Sequence, residues 1–154
     1  MSSVGAVLTL ACDDEVFALP VERVQEILDL RPITRMPNAP AQLLGMIDVR
    51  GMGVAVADLR ALLGMVPTAD TEMSRIVVFW VRSGGRQTVV GFRADRVIEV
   101  AALDNDDMEP LPEAGLFNWR DRMIAGIGRR NGKLVTVLDV DRMFDGLTSE
   151  LSAA

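Results

Sequence analysis

Few side chains in this sequence are of a type and spacing to do chemistry, and the chemistry they suggest is protein contact. Arg50 stands between the aliphatic run Met46-Ile47-Asp48-Val49 and Gly51. At such a strand-to-turn junction a guanidinium is held in the open, with several donors available to a partner. The competing reading is a solvated hairpin arginine. Asp48 is two residues away, on the same face of a strand, and so is placed to pair with Arg50 locally. Val24 and Ile27 flank Glu26 in an element too short to bury itself, which leaves core packing or an exposed aliphatic edge bearing one acid. A lone carboxylate is costly to bury unpaired, which makes Glu26 the better interface candidate of the three. Val89 and Val90 precede Gly91, and if that run alternates one of the two faces outward; the sequence does not choose between them.

Other chemistries find little support. There is no histidine, so the commonest acid-base group and the familiar zinc motifs are missing. The single cysteine, Cys12, forms no internal disulfide and no thiolate cluster, and a lone core thiol fits a reducing cytoplasm. Asp104, Asp106, Asp107 and Glu109 invite a calcium site but lack the EF-hand glycine and terminal glutamate spacing, so they read as a solvated turn. Arg129 and Arg130 read as a solvated hairpin tip, with partner docking as the second reading. Gly126-Ile127-Gly128 lacks Rossmann spacing and no Walker lysine motif occurs. No catalytic, cofactor or metal site is therefore expected, and the chain is not expected to be an enzyme. The 22 acidic and 16 basic residues give a net charge of −6, against a general role on nucleic acid. No apolar run reaches the roughly 20 residues of a membrane span, and the N-terminal run has no basic segment before it, so neither insertion nor a secretory signal is expected.

The elements that must position these residues are strands. Val4 to Ala11 and Val16 to Leu19 form a hairpin signal around Cys12-Asp13-Asp14-Glu15. Val21 to Leu28 reads as a short turn feeding a strand. Met36-Pro37 and Ala39-Pro40 exclude a long helix. Met46 to Val49 and Gly53 to Leu59 read as strands joined across Arg50-Gly51, and Arg60 to Gly64 as a brief helical turn. Val66 to Met73, with Pro67, is the best internal linker. Arg75 to Val81 is the strongest strand, apolar on both faces and so covered on both sides. Gln87 to Phe92 and Arg96 to Val100 follow, and Asn131-Gly132 is a strong hairpin turn between two late strands.

The elements recur. Arg23-Val24-Gln25-Glu26-Ile27, Met36-Pro37, Gly45 to Gly51 and Val56-Ala57-Asp58-Leu59 are matched in order by Arg96-Val97-Ile98-Glu99-Val100, Leu111-Pro112, Gly126 to Gly132 and Val137-Leu138-Asp139-Val140. Two halves of this size would expose apolar faces if separate, so they should share a core. With this order and spacing, the chain resembles the CheW-like chemotaxis coupling proteins from about Val4 to Phe144. The resemblance is sharpest at Val24 to Ile27, Ile33 to Pro40, and Gly45 to Gly51 continuing to Val56-Ala57-Asp58-Leu59.

That resemblance implies an all-β fold of two SH3-like five-stranded β-barrel subdomains sharing a core, about 16–66 and about 74–145, with terminal segments crossing between them. It implies a non-enzymatic cytoplasmic adaptor, recruited to receptor arrays. The implied partners are the regulatory domain of a CheA-type histidine kinase and the cytoplasmic tip of a methyl-accepting chemoreceptor. It places a groove arginine at Arg50, kinase and receptor contacts around Val24, Glu26 and Ile27, and the Val89-Val90 strand near the receptor groove. Gly53, Ala55 and Asp48 depart from the family pattern, which leaves a coupler for another pathway such as surface motility, or a structural ring subunit, as alternatives.

Overall fold

The computed structural model describes residues 4–109 and 123–145. The Leu111-Pro112 match and the tail beyond Asp145 lie outside the described residues. The fold is all-β with short helical turns: β1 (Ala6–Cys12), β2 (Glu15–Pro20), β3 (Val24–Asp29), β4 (Leu43–Val49), β5 (Met52–Asp58), α1 (Leu59–Leu62), β6 (Arg75–Ser83), β7 (Arg86–Ala94), β8 (Arg96–Ala102), β9 (Ile124–Arg130) and β10 (Lys133–Leu138). These build two five-stranded mixed sheets, ordered β8-β1-β2-β10-β9 and β3-β6-β7-β5-β4. No helix among the described residues is long and apolar enough to cross a membrane.

The two orders are the same order once five is added to or subtracted from each strand number. Each sheet takes a hairpin from one repeat (β1-β2 or β6-β7) and the three later strands of the other (β8 to β10 or β3 to β5). The one parallel pair in each, β2 with β10 and β5 with β7, is the seam between repeats. This corrects the expected subdomain boundaries. Residues 75–94 pair with the first-half strands, and Glu15–Pro20 pairs with the second-half strands. The cause is that β2 leads into β3 through three 3₁₀ residues, Val21–Arg23, and β7 into β8 through Asp95 alone, and at both points the chain changes sheet.

The apolar residues follow this plan. The main core lies between the sheets, where Leu8, Leu10, Leu19, Leu59, Phe79, Phe92, Leu138 and Phe144 are buried. Phe79 meets Phe92 and Phe144 at centroid separations of 4.9 and 5.5 Å. Each sheet also buries its other face in a smaller cluster. Ile47, Val49, Val54, Val56, Ile76 and Val78 form one, and Val7, Ala18, Leu103, Val135 and Val137 the other. β6 thus has both faces covered, as its composition suggested. Both sheets curl: Thr34, beyond edge strand β3, bridges Met46 on the opposite edge, and Glu109, beyond β8, bridges Ile127.

Candidate protein-binding site

β4 and β5 are joined by a two-residue turn, with Val49 opposite Met52. Arg50 and Gly51 both have positive φ, 51° and 87°, the signature of the type I′ turn whose twist matches a hairpin. Gly51 adopts this readily; Arg50 carries a Cβ penalty. The other non-glycine residues with positive φ among those described are Asp13, Asn38, Asn105, Asp106 and Asn131, types that tolerate the left-handed region. Arg50 is the exception in kind.

Asp48 supports the turn by accepting the Gly51 N–H at 2.7 Å. It makes no ion pair with Arg50, contrary to the same-face expectation, because the left-handed backbone at residue 50 ends the strand alternation on which that expectation rests. Arg50 instead reaches Glu26, donating to Oε1 at 3.2 Å and Oε2 at 2.5 Å. Glu26 lies on edge strand β3 and Arg50 at the tip leading from the opposite edge strand, so the pair links the two edges of the curled sheet. The Arg50 side chain remains 76% exposed and that of Glu26 20%. A pair so open to solvent contributes about 0–1 kcal/mol to stability, too little to explain a strained arginine by folding alone.

The other candidates divide. Glu26 is opposite Val78, which belongs to the small cluster, whereas Ile27 is opposite Val77, which belongs to the main core, so Glu26 and Ile27 face opposite sides. Ile27 is 41% exposed. Val24 packs against the main core as a partly buried residue. Val89 is half-buried against the small cluster, on the side of Glu26. Val90 is buried in the main core, and its side chain is not available to a partner. The run alternates as expected, Val90 turning to the main core and Val89 to the opposite face, where it stays half-buried because β7, like β6, is covered on both faces.

The β8-β1-β2-β10-β9 sheet repeats the motif. Glu99 of β8, the counterpart of Glu26, receives Arg130 Nε at 3.4 Å, and Arg130 immediately precedes the Asn131-Gly132 turn. Asp104 accepts the N–H groups of Asn131 and Gly132 at 3.0 and 2.9 Å. These bonds to Gly132 and Asn131 hold its carboxyl below the ordinary carboxylate value. The acidic stretch therefore anchors a hairpin. Among the described residues no group of three or more His, Cys, Asp or Glu is placed to hold a metal.

Sequence reasoning missed two buried arginines. Arg60, with a 4% exposed side chain, donates to Asp13 at 2.9 and 3.1 Å and to Asp95 at 2.7 Å. Arg93 joins Asp70, Asp95 at 3.1 Å and Ser74 at 3.2 Å. Burial pushes the Asp95 carboxyl up, but the Asp13 N–H, Arg93 and Arg60 outweigh it and leave it below the ordinary value. Cys12, beside this network, is pushed up to about 11 by burial above all. Arg23 is bidentate to Asp141 at 2.7 and 3.0 Å and stacks 4.1 Å from the Trp80 centroid. A cavity of about 470 Å³ lies between α1 with the residues after it and strands β2, β9 and β10, lined by Phe17, Leu62, Leu63, Met65, Met123 and Ile124 among others. Arg50 and the other sequence-selected residues do not line it.

Comparison with known proteins agrees with this architecture. A family model described as CheW-like domain matches residues 6–147. A probable chemotaxis protein CheW of Rhizobium etli is 31% identical over 138 residues, covering 89% of this chain and 85% of that protein. The chemotaxis protein CheW of Helicobacter pylori is 31% identical over 130 residues, covering 84% and 75%. The crystal structure of the scaffolding protein TtCheW from Thermoanaerobacter tengcongensis superposes with a TM-score of 0.78 at 24% identity, over 90% of this chain and 91% of that one.

Proposed function

This chain belongs to the CheW-like domain family, whose members are non-enzymatic adaptors between receptors and a CheA kinase, and on that premise we propose how its surface engages them. The Glu26–Arg50 mouth of the β3-β6-β7-β5-β4 sheet is the docking point. Its partners are the regulatory domain of a CheA-type histidine kinase and the cytoplasmic tip of a chemoreceptor. Val89 supplies apolar contact on the same side and Ile27 on the strand edge. The reading includes closure of each sheet into an SH3-like barrel, supported by the Thr34–Met46 and Glu109–Ile127 bridges. It also includes recruitment from the cytoplasm to receptor arrays.

The observation that carries the proposal is Arg50 itself: a left-handed, 76% exposed arginine whose own ion pair contributes little to folding. Strain and exposure together suit a group whose hydrogen bonds are completed by another protein. Desolvated at an interface, a charge-assisted arginine contact is worth about 2–5 kcal/mol, or at least about thirty-fold in Kd.

The test is titration of Arg50→Glu against the kinase domain and, separately, the receptor tip. The variant should keep its thermal unfolding temperature and lose at least about thirty-fold in affinity for one partner or both. Near-wild-type affinity for both, with unchanged unfolding, would return Arg50 to the ordinary solvated surface.

A further inference from the structure

We propose that this chain can exchange its repeats with a second copy of itself. In the exchanged pair, each folded unit combines residues 4–62 of one chain with residues 75–145 of the other. The inference rests on topology and is independent of the docking surface described above.

Of the eight strand ladders, four join one repeat to the other: β1 with β8, β2 with β10, β3 with β6, and β5 with β7. The four within a repeat are hairpins of consecutive strands, so neither repeat makes a sheet alone. None of the ladders needs its two repeats to come from one chain. The described covalent path between repeats is residues 63–74, whose twelve residues span up to about 40 Å when extended. That reach allows the path to leave one unit and enter a neighbour.

The linker is also held down by a small set of bonds from both repeats. Arg60 donates Nε to the Val66 carbonyl at 2.7 Å, and Arg93 pairs with Asp70 and donates to the Ala69 carbonyl at 3.4 Å. Together these act as a latch on the single-chain form. That form is favoured further because linked repeats meet at an effective concentration of the order of millimolar. Exchange should therefore appear when the chain refolds at comparable concentration, and a weakened latch should favour it.

The experiment mixes ¹⁵N-labelled and unlabelled full-length chains, unfolds them and refolds them together at millimolar concentration. Native mass spectrometry should show particles of twice the 16.8 kDa chain mass, including mixed-label pairs. A version with a protease site inserted between Pro67 and Thr68 is refolded likewise, and its isolated dimer is then cut. Exchange predicts single-unit particles in which a labelled half is held by an unlabelled one. Asp70→Ala, at a 59% exposed linker side chain, should keep the fold. It should raise the dimer fraction by at least about threefold, the scale of one ion pair exposed on its aspartate side only. Three results would overturn the proposal: wild-type chain that returns only as monomer, cut particles carrying halves of one label only, or a dimer fraction unmoved by Asp70→Ala.

Discussion

Arg60→Met should be among the most damaging polar-to-apolar changes in this protein, although its chemistry lies far from the docking point. The guanidinium is almost wholly withdrawn from solvent, its side-chain exposure being 4%, and it ties the β1-β2 turn at Asp13 to the β7-β8 junction at Asp95. Breaking a fully buried ion pair from one side costs about 3–5 kcal/mol. Here the cost is smaller, because Asp13 is 58% exposed and water can replace the lost donors. Asp95 is 23% exposed and keeps Arg93 at 3.1 Å and the Asp13 N–H at 3.0 Å. About 2–3 kcal/mol remains, which for a chain of this length lowers Tm by about 5–10 °C. The folded Asp95 carboxyl titrates below its unfolded value, so it contributes stability above the ordinary carboxylate range and loses it as pH falls through the folded value. The substitution would remove one of the cations that hold Asp95 down, so the gap between wild type and variant should narrow between about pH 7 and about pH 3. Thermal unfolding followed by circular dichroism at both values measures this. A variant melting within about 1 °C of wild type near pH 7 would refute the account.

Two further outcomes follow from the backbone. Gly45→Ala should cost about 3 kcal/mol or more, since its Cβ would stand 2.2 Å from the Thr34 carbonyl oxygen at φ +147°, whereas Gly53→Ala meets only the flexible Met46 Cε at 3.2 Å and should fall within about 0.5 kcal/mol of wild type. Denaturant melts of the two separate these cases, and equal stabilities would count against the Thr34–Met46 bridge as a rigid closure. Residues 1–66 or 74–154 alone should show neither dispersed amide signals nor cooperative unfolding, because each keeps hairpins without the strands that complete a sheet; a cooperative melt of either fragment would contradict the interleaved pairing.

Much of this was legible as local pattern. The recurring Arg-Val-x-Glu segments became β3 and β8, the same edge position in two sheets, and Asn131-Gly132 became the turn its dipeptide predicts. The interleaving was not legible, since the three residues between β2 and β3 look the same whether the chain stays in its sheet or leaves it. Nor were Arg60 and Arg93, because an isolated arginine reads as surface, and the Arg60 partners Asp13 and Asp95 lie 47 and 35 residues away along the chain. Val90 escapes for a related reason: alternation says which residues share a face, not whether the second face is covered.

The repeat also explains where the two halves part company. Glu26 and Glu99 hold matching places, and each meets an arginine from the facing hairpin. In the β8-β1-β2-β10-β9 sheet that arginine is Arg130, the last strand residue, and the left-handed turn positions go to Asn131 and Gly132. In the β3-β6-β7-β5-β4 sheet the arginine itself occupies the first turn position, with Val49 taking the strand place that Arg130 holds. Arg130 is half-buried, at 34% exposure, with a second bond to the Ala102 carbonyl at 3.4 Å; Arg50 is at 76% and, among the described residues, bonds to Glu26 alone. A one-residue shift along equivalent hairpins thus turns an arginine that laces its own sheet into one that presents its donors outward. The asymmetry between two otherwise matching mouths therefore lies in the turn, and Arg50 is the residue that carries it.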